Sequence, residues 1–435
     1  MLSRRNFMWL TGAAAGLSVT PLSAQRGRGP AASDGPVPES IAALTSMRSL
    51  AKPITVAERQ ARLEKARRLM TEQKIDAIIL TGGTSLMYFT GIRWGNSERL
   101  TAVVIPRVGQ PYIVTPAFEE DRTREQLAGG PIEHTDVAIW QEDESPFERV
   151  ATGLKDRGIS SGRIGIEETS KFVFADSIGG AAPALKIVSA SPIVAGCRMI
   201  KEAHEVELMR LASHITLKCY EAVFKALKPG MTQNDVGNLI SAGYTKLGVS
   251  GFASIQVGEY TALPHGSITP QMIREGTILM LDDGCTVEGY QSDITRTFVL
   301  GKATDKMKKV FDIVHQAQTA ALKAARPGAP LESIDAAGRK VVIDNGYGPG
   351  FKYFTHRLGH GMGMDGHEWP YLVKNNMFGW EKSLTVQPGM VFSDEPGIYI
   401  KGEFGVRLED DMHVTPNGAE LFTPQSPSIE DPFGL

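Results

Sequence analysis

Five residues constrain this chain more than any other feature. Asp282, Asp293, His360, Glu395 and Glu409 are strung through its last third at intervals that no single helix or loop accommodates. A fold that uses them together has to gather distant segments. Four carboxylates and one imidazole suit two divalent cations, because four ionised acids cancel two M²⁺ ions. A single ion would leave surplus negative charge in a partly buried site. Oxygen-rich ligands with one histidine suit Mn²⁺ and also admit Co²⁺, Zn²⁺ or Fe²⁺, while the lack of a nearby thiolate cluster disfavours a structural zinc.

The surroundings of each residue sharpen the reading. Asp282 ends the apolar run Thr277-Ile278-Leu279-Met280-Leu281 and precedes Asp283-Gly284, and Asp293 follows Gly289-Tyr290-Gln291-Ser292. Both segments read as short β-strands with a turn around Glu288-Gly289, a hairpin that sets the two carboxylates across from each other. His360 lies between His356 and Glu368 in a run with four glycines, which argues against a helix and for close backbone approach to a site. Glu395 stands in Ser393-Asp394-Glu395-Pro396-Gly397-Ile398-Tyr399, and Glu409 in Gly405-Val406-Arg407-Leu408-Glu409-Asp410-Asp411.

The series and its flanking motifs resemble the pita-bread metallopeptidases, the group that holds methionine aminopeptidase, aminopeptidase P, prolidase and creatinase. The runs His356-Arg357-x-Gly359-His360-Gly361-x-Gly363 and Glu395-Pro396-Gly397-Ile398-Tyr399, with an N-terminal domain before them, are more similar to its proline-specific branch. The likeness covers roughly residues 55 to 425. It implies that Asp282 and Asp293 bind one metal, that His360 and Glu395 bind the other, and that Asp293 and Glu409 bridge the two. It also implies that His265, in Pro264-His265-Gly266, His367 and Arg407 assist catalysis, and that the protein is a homodimer or homotetramer. Asp283 departs from the pattern: the middle residue of the Asp-x-Gly strand end is usually small and apolar, and here it adds a negative charge.

The chemistry so implied is metal-assisted hydrolysis of an amide. Glu395 takes the proton of the attacking water, and His265 and His367 donate hydrogen bonds as charge develops on the carbonyl oxygen. Arg407 either pairs with a substrate carboxylate or holds the metal-bridging acids. The resemblance points to small peptides with proline second and to an Xaa-Pro dipeptidase. An aminopeptidase P acting on longer peptides, or a non-peptide hydrolase or lyase on the same fold, are the alternatives. A binding protein without catalysis fits poorly with the complete ligand set.

Net charge is −3 with Lys and Arg scattered, so nothing calls for a nucleic-acid partner. The group Arg62…Lys65…Arg67-Arg68 reads as the outer, solvated side of a helix. Ser3-Arg4-Arg5-Asn6-Phe7-Met8, before a short Gly/Ala-rich apolar run, reads as a twin-arginine export signal over 1–24, too short for a membrane span, and predicts a periplasmic or otherwise exported protein. Residues 25–52, rich in Gly, Pro, Ser and Ala, read as a flexible linker. Cys197, Cys219 and Cys285 fit no zinc or redox spacing and are expected as buried thiols.

Alternating strand and helix patterns over 53–196 predict a creatinase-like α/β domain, in which Trp94 and Arg99 are candidates to line a substrate cleft. Over 197–430, helix, helix, strands appear twice. This is an internal repeat in organisation, which fits an α+β pita-bread catalytic domain with pseudo-two-fold symmetry and the metal site between its halves.

Overall fold

The computed structural model describes residues 37–375 and 383–435. The expected export signal and the first part of the linker lie outside the described residues. Among the described residues no helix is long and apolar enough to cross a membrane.

The first layer is a six-stranded mixed sheet built around Ala77–Thr81. That strand runs antiparallel to Ala102–Pro106 on one side and parallel to Gly162–Ile166 on the other. All five of its residues are buried, as are those of Ala102–Pro106 and Tyr112–Pro116. An unbroken apolar run of this kind is what a strand covered on both faces requires. Helix Val56–Gln73 packs here, started by a capping box in which Thr55 and Glu58 satisfy each other's exposed backbone N–H groups.

Arg62 on this helix is not on a solvated face. Its guanidinium is 1 % exposed, lies over the Tyr88 ring, donates to Tyr290 Oη at 2.9 Å and stands 3.4 Å from Glu205. Charge periodicity misplaces it because its partners lie far along the chain. The linker reading also fails beyond residue 37. Ile41, in helix Glu39–Ala42, is fully buried, Ser40 Oγ donates to the Ala222 carbonyl, and Met47 N donates to Leu247 O. A few apolar side chains dock this segment on the catalytic part despite its surrounding Gly and Pro.

The second part has two helix pairs, Ala203–Ala226 with Gln233–Leu247 and Asp305–Ala324 with Leu331–Asp344, each followed by antiparallel strands. Ile278–Asp282 pairs with Ser254–Val257 and Arg296–Val299. After the second pair, Gly359–Gly361, Val391–Asp394 and Asp410–Thr415 lie side by side in a five-stranded sheet. Glu409 N donates to Thr295 O where the two halves meet. The architecture is the α/β domain followed by a twofold-repeated α+β domain that the element pattern predicts.

Candidate metal and active site

The turn that introduces the first two acids is a two-residue hairpin. Val287 pairs with Tyr290, and Glu288 and Gly289 both take positive φ, 51° and 93°, as a type I′ turn demands. Its register does not set Asp293 across from Asp282, as a simple hairpin would. Leu281 faces Arg296, so Thr295 is the residue opposite Asp282, and Asp293 sits in the irregular segment before that strand. Thr295 turns this offset to use: its Oγ1 lies 2.5 Å from both Asp282 Oδ1 and Glu409 Oε2. One hydroxyl has one hydrogen for two carboxylates. One of the two carboxylates is therefore left to a proton of its own or to a cation.

His360 enters on the strand Gly359–Gly361. A β-carbon at Gly359 would meet the Ser393 carbonyl oxygen at 2.1 Å, and one at Gly361 the Glu368 carbonyl oxygen at 2.5 Å, so only glycine lets these strands approach. The imidazole is 2 % exposed, with Nδ1 at 3.1 Å from the Gly361 carbonyl oxygen. A carbonyl can only accept, so Nδ1 carries the proton and Nε2 presents its lone pair. That nitrogen lies 3.3 Å from Glu395 Oε1 and 3.8 Å from Asp293 Oδ2. Donor atoms of Asp293, His360 and Glu409 fall within 4.8 Å of one another.

Electrostatics agree with a site built for cations. Burial, then the neighbouring Asp282, drives the Asp293 carboxyl well above the ordinary carboxylate range, and burial with Asp293 and Glu395 does the same to Glu409. Burial pushes Glu395 up to about 7. The His360 imidazole is held well below its usual range by burial and by the adjacent His367. Acids that resist ionisation and an imidazole that resists protonation are a donor set that a divalent cation relieves.

All eight expected residues, Asp282, Asp293, His360, Glu395, Glu409, His265, His367 and Arg407, line one cavity of about 550 Å³, the size range of small-molecule sites. Asp283 lines it too. Its carboxylate accepts from Ser254 N at 3.2 Å, its φ is 95°, and burial, then Asp282, pushes its pKa to about 7. Trp94 and Arg99 do not line the cavity of their own chain. Arg99 is ion-paired with Glu142 and Glu98, and Trp94 lies under the Arg122 guanidinium.

Arg407 has four of its five N–H donors engaged. It pairs directly with Asp282 Oδ2 and donates to Thr295 Oγ1, the Pro264 carbonyl and Tyr399 Oη. This directs a chain of hydrogen bonds, since Tyr399 Oη accepts from Arg407 and therefore donates its own proton to His356 Nε2 at 2.7 Å. His356 Nδ1 then donates to the Arg357 carbonyl at 2.7 Å, and burial keeps this ring neutral, its pKa lowered to about 3. Below this loop Arg339, held by both oxygens of Asp335, donates to the carbonyls of Phe354 and His356.

Sequence reasoning missed Thr295, Tyr399, the Asp335–Arg339 pair and the position of Arg357. For Arg357 a signal was present, because it stands inside the histidine-glycine run. The three thiols are free and buried, as expected.

Residues 207–416 match the model of metallopeptidase family M24, and residues 62–200 that of the creatinase/prolidase N-terminal domain. The crystal structure of dipeptidase PepE from Mycobacterium ulcerans is 30 % identical, covers 87 % of this chain and 99 % of its own, and superposes with a TM-score of 0.79. A dipeptidase from Pyrococcus horikoshii OT3 is 32 % identical over 83 % of this chain and 98 % of its own, with a TM-score of 0.72. An Xaa-Pro dipeptidase from Bacillus anthracis is 29 % identical over 84 % and 98 %, with a TM-score of 0.71.

Proposed function

This chain belongs to metallopeptidase family M24 and is a peptidase; from that premise we propose that it hydrolyses Xaa-Pro dipeptides using two divalent cations. The observation that carries the reading is the convergence of four acids and the Nε2 lone pair of His360 on one cavity. Asp282 and Asp293 would hold one ion, His360 and Glu395 the other, with Asp293 and Glu409 shared; Mn²⁺ suits this donor set best, and Co²⁺, Zn²⁺ or Fe²⁺ also fit. When bound, such cations supply Lewis-acid polarisation of the scissile carbonyl and a lowered pKa for water.

The remaining steps fall to the chain's own residues. Glu395, which accepts from Ser393 Oγ at 3.2 Å, receives the proton of the attacking water. His367 accepts from Arg357 Nη2 at its Nδ1, so the neutral ring carries its proton on Nε2, free to donate to the developing oxyanion. His265, on the same cavity, is the second donor. Arg407 acts by position: of its two expected roles, the contact with Asp282 favours the one that holds the acids in place. Proline preference has a physical basis, since an imide bond offers no N–H to a general peptidase and its ring fixes φ. Names of the relatives support the dipeptidase reading, and the twin-arginine segment, outside the described residues, supports export of the folded protein to the periplasm.

The test is a substrate comparison with the Mn²⁺-loaded protein. Ala-Pro or Leu-Pro is expected to be cleaved with higher kcat/KM than a tripeptide with proline second. Faster cleavage of the tripeptides would make the protein an aminopeptidase P, and cleavage of neither would favour a non-peptide amide.

A further inference from the structure

We propose that Arg357 receives the free C-terminal carboxylate of the substrate and so restricts the enzyme to peptides that end one residue after the scissile bond. This rests on the dipeptide reading above and supplies the residue responsible for it. Two arginines line the cavity, and they differ in what they already hold. Arg407 has four of its five N–H donors committed, to Asp282, Thr295, Pro264 and Tyr399, and already pairs with a carboxylate. Arg357 has no carboxylate partner among the described residues. Its guanidinium lies over the Tyr371 ring, 4.1 Å from the centroid, and a single Nη2 contact reaches His367 Nδ1 at 3.1 Å.

A guanidinium held over an aromatic ring still offers N–H donors at its edge, and such an edge matches a carboxylate through two parallel N–H groups. The position fits as well: Arg357 touches His367, whose ring lies 3.7 Å from that of His360. The guanidinium therefore sits beside the ligand cluster on the same cavity, on the side where a carboxylate following the proline ring can reach it. A longer peptide would carry its charge past the fork and leave an amide there instead.

The measurement is kcat/KM for Leu-Pro and for its C-terminal amide, with wild-type protein and Arg357→Met, both metal-loaded and with metal content checked. Wild type is expected to prefer the acid by about 10²-fold, and Arg357→Met to bring the two substrates to about the same rate, mainly by raising KM for the acid. An unchanged preference in Arg357→Met would overturn the proposal. So would an equal loss on acid and amide, which would mean that Arg357 acts only through His367. If the Met variant does not fold, Arg357→Lys keeps the charge without the fork and should still lose more on the acid than on the amide; equal losses there overturn the proposal too. Failure of wild type to cleave either compound would remove the dipeptide reading itself, whereas cleavage of both without preference removes only the role of Arg357.

Discussion

The imidazole of His367 lies on that of His360 with ring centroids 3.7 Å apart and planes 17° from parallel. The two rings carry their protons on opposite nitrogens. His360 donates from Nδ1 to the Gly361 carbonyl and turns a bare Nε2 toward the acids, whereas His367 accepts at Nδ1 from Arg357 and keeps its hydrogen on Nε2. Protonating both would set like charges face to face, and burial, with the neighbouring charges, holds both below the usual histidine range. One ring is suited to coordinate, the other to donate.

His367→Ala should therefore separate catalysis from metal binding. Loss of one donor to the developing oxyanion is expected to lower kcat by about 10²–10³, with the metal content of the purified protein unchanged by elemental analysis. Loss of metal from this variant would move His367 into the ligand set.

The metal count itself is open to measurement. Wild type should hold close to two divalent ions per chain, and a fully active preparation with one or none would refute the two-metal mechanism. Asp293 and Glu409, whose donor atoms lie together with His360, are the residues expected to serve both ions. Asp293→Ala and Glu409→Ala should each lose metal and nearly all activity. Retention of most turnover would sink that assignment.

Metal removal should give the protein an inverted pH response. In the metal-free fold Glu395 titrates at about 7 instead of its ordinary 4.5, and Asp293 and Glu409 are also well raised, chiefly by burial. A carboxyl raised in the folded state binds its proton more tightly there than in the unfolded chain. Its contribution to stability is fully present below the unfolded value and is lost as the pH rises through the folded one. The Tm of chelator-treated protein should fall as the pH rises from 4.5 through about 7. Added Mn²⁺ should raise Tm more at about pH 8 than at about pH 5. An equal Mn²⁺ effect at both would show that these acids are ionised without the metal.

The ligands were legible because strand-end acids and glycine-flanked histidine report local backbone demands, and their order survives in the sequence. What was illegible depends on partners far away. Leu281 facing Arg296 sets Thr295, not Asp293, opposite Asp282, a matter of register that the alternation of residues does not reveal. Arg407 was expected either to meet a substrate carboxylate or to hold the acids, and only its tertiary contact with Asp282 chooses between the two. Which of two arginines in the site is already occupied is likewise a fact of tertiary contact. Composition suggested an arm over 25–52, yet Ile41 alone buries enough apolar surface to help hold its described part against the helices.

Arg62 gives the most direct test of how the two parts of the chain are joined. Its helix belongs to the N-terminal part, while Glu205 and Tyr290 belong to the catalytic part, and the three are linked in sequence: Arg62 Nη2 donates to Tyr290 Oη, which donates to Glu205 Oε1 at 2.8 Å. Removing the cation leaves a buried carboxylate without its counter-charge, a loss of about 3–5 kcal/mol where no water reaches the pair. Arg62→Met should lower Tm substantially in a thermal melt. Arg62→Met combined with Glu205→Gln should recover part of that loss, because the stranded charge is gone. Turnover per folded, metal-loaded molecule should stay near wild type, since none of the three residues lines the cavity. A single variant as stable as wild type would mean that the contact between the two parts depends on apolar packing alone.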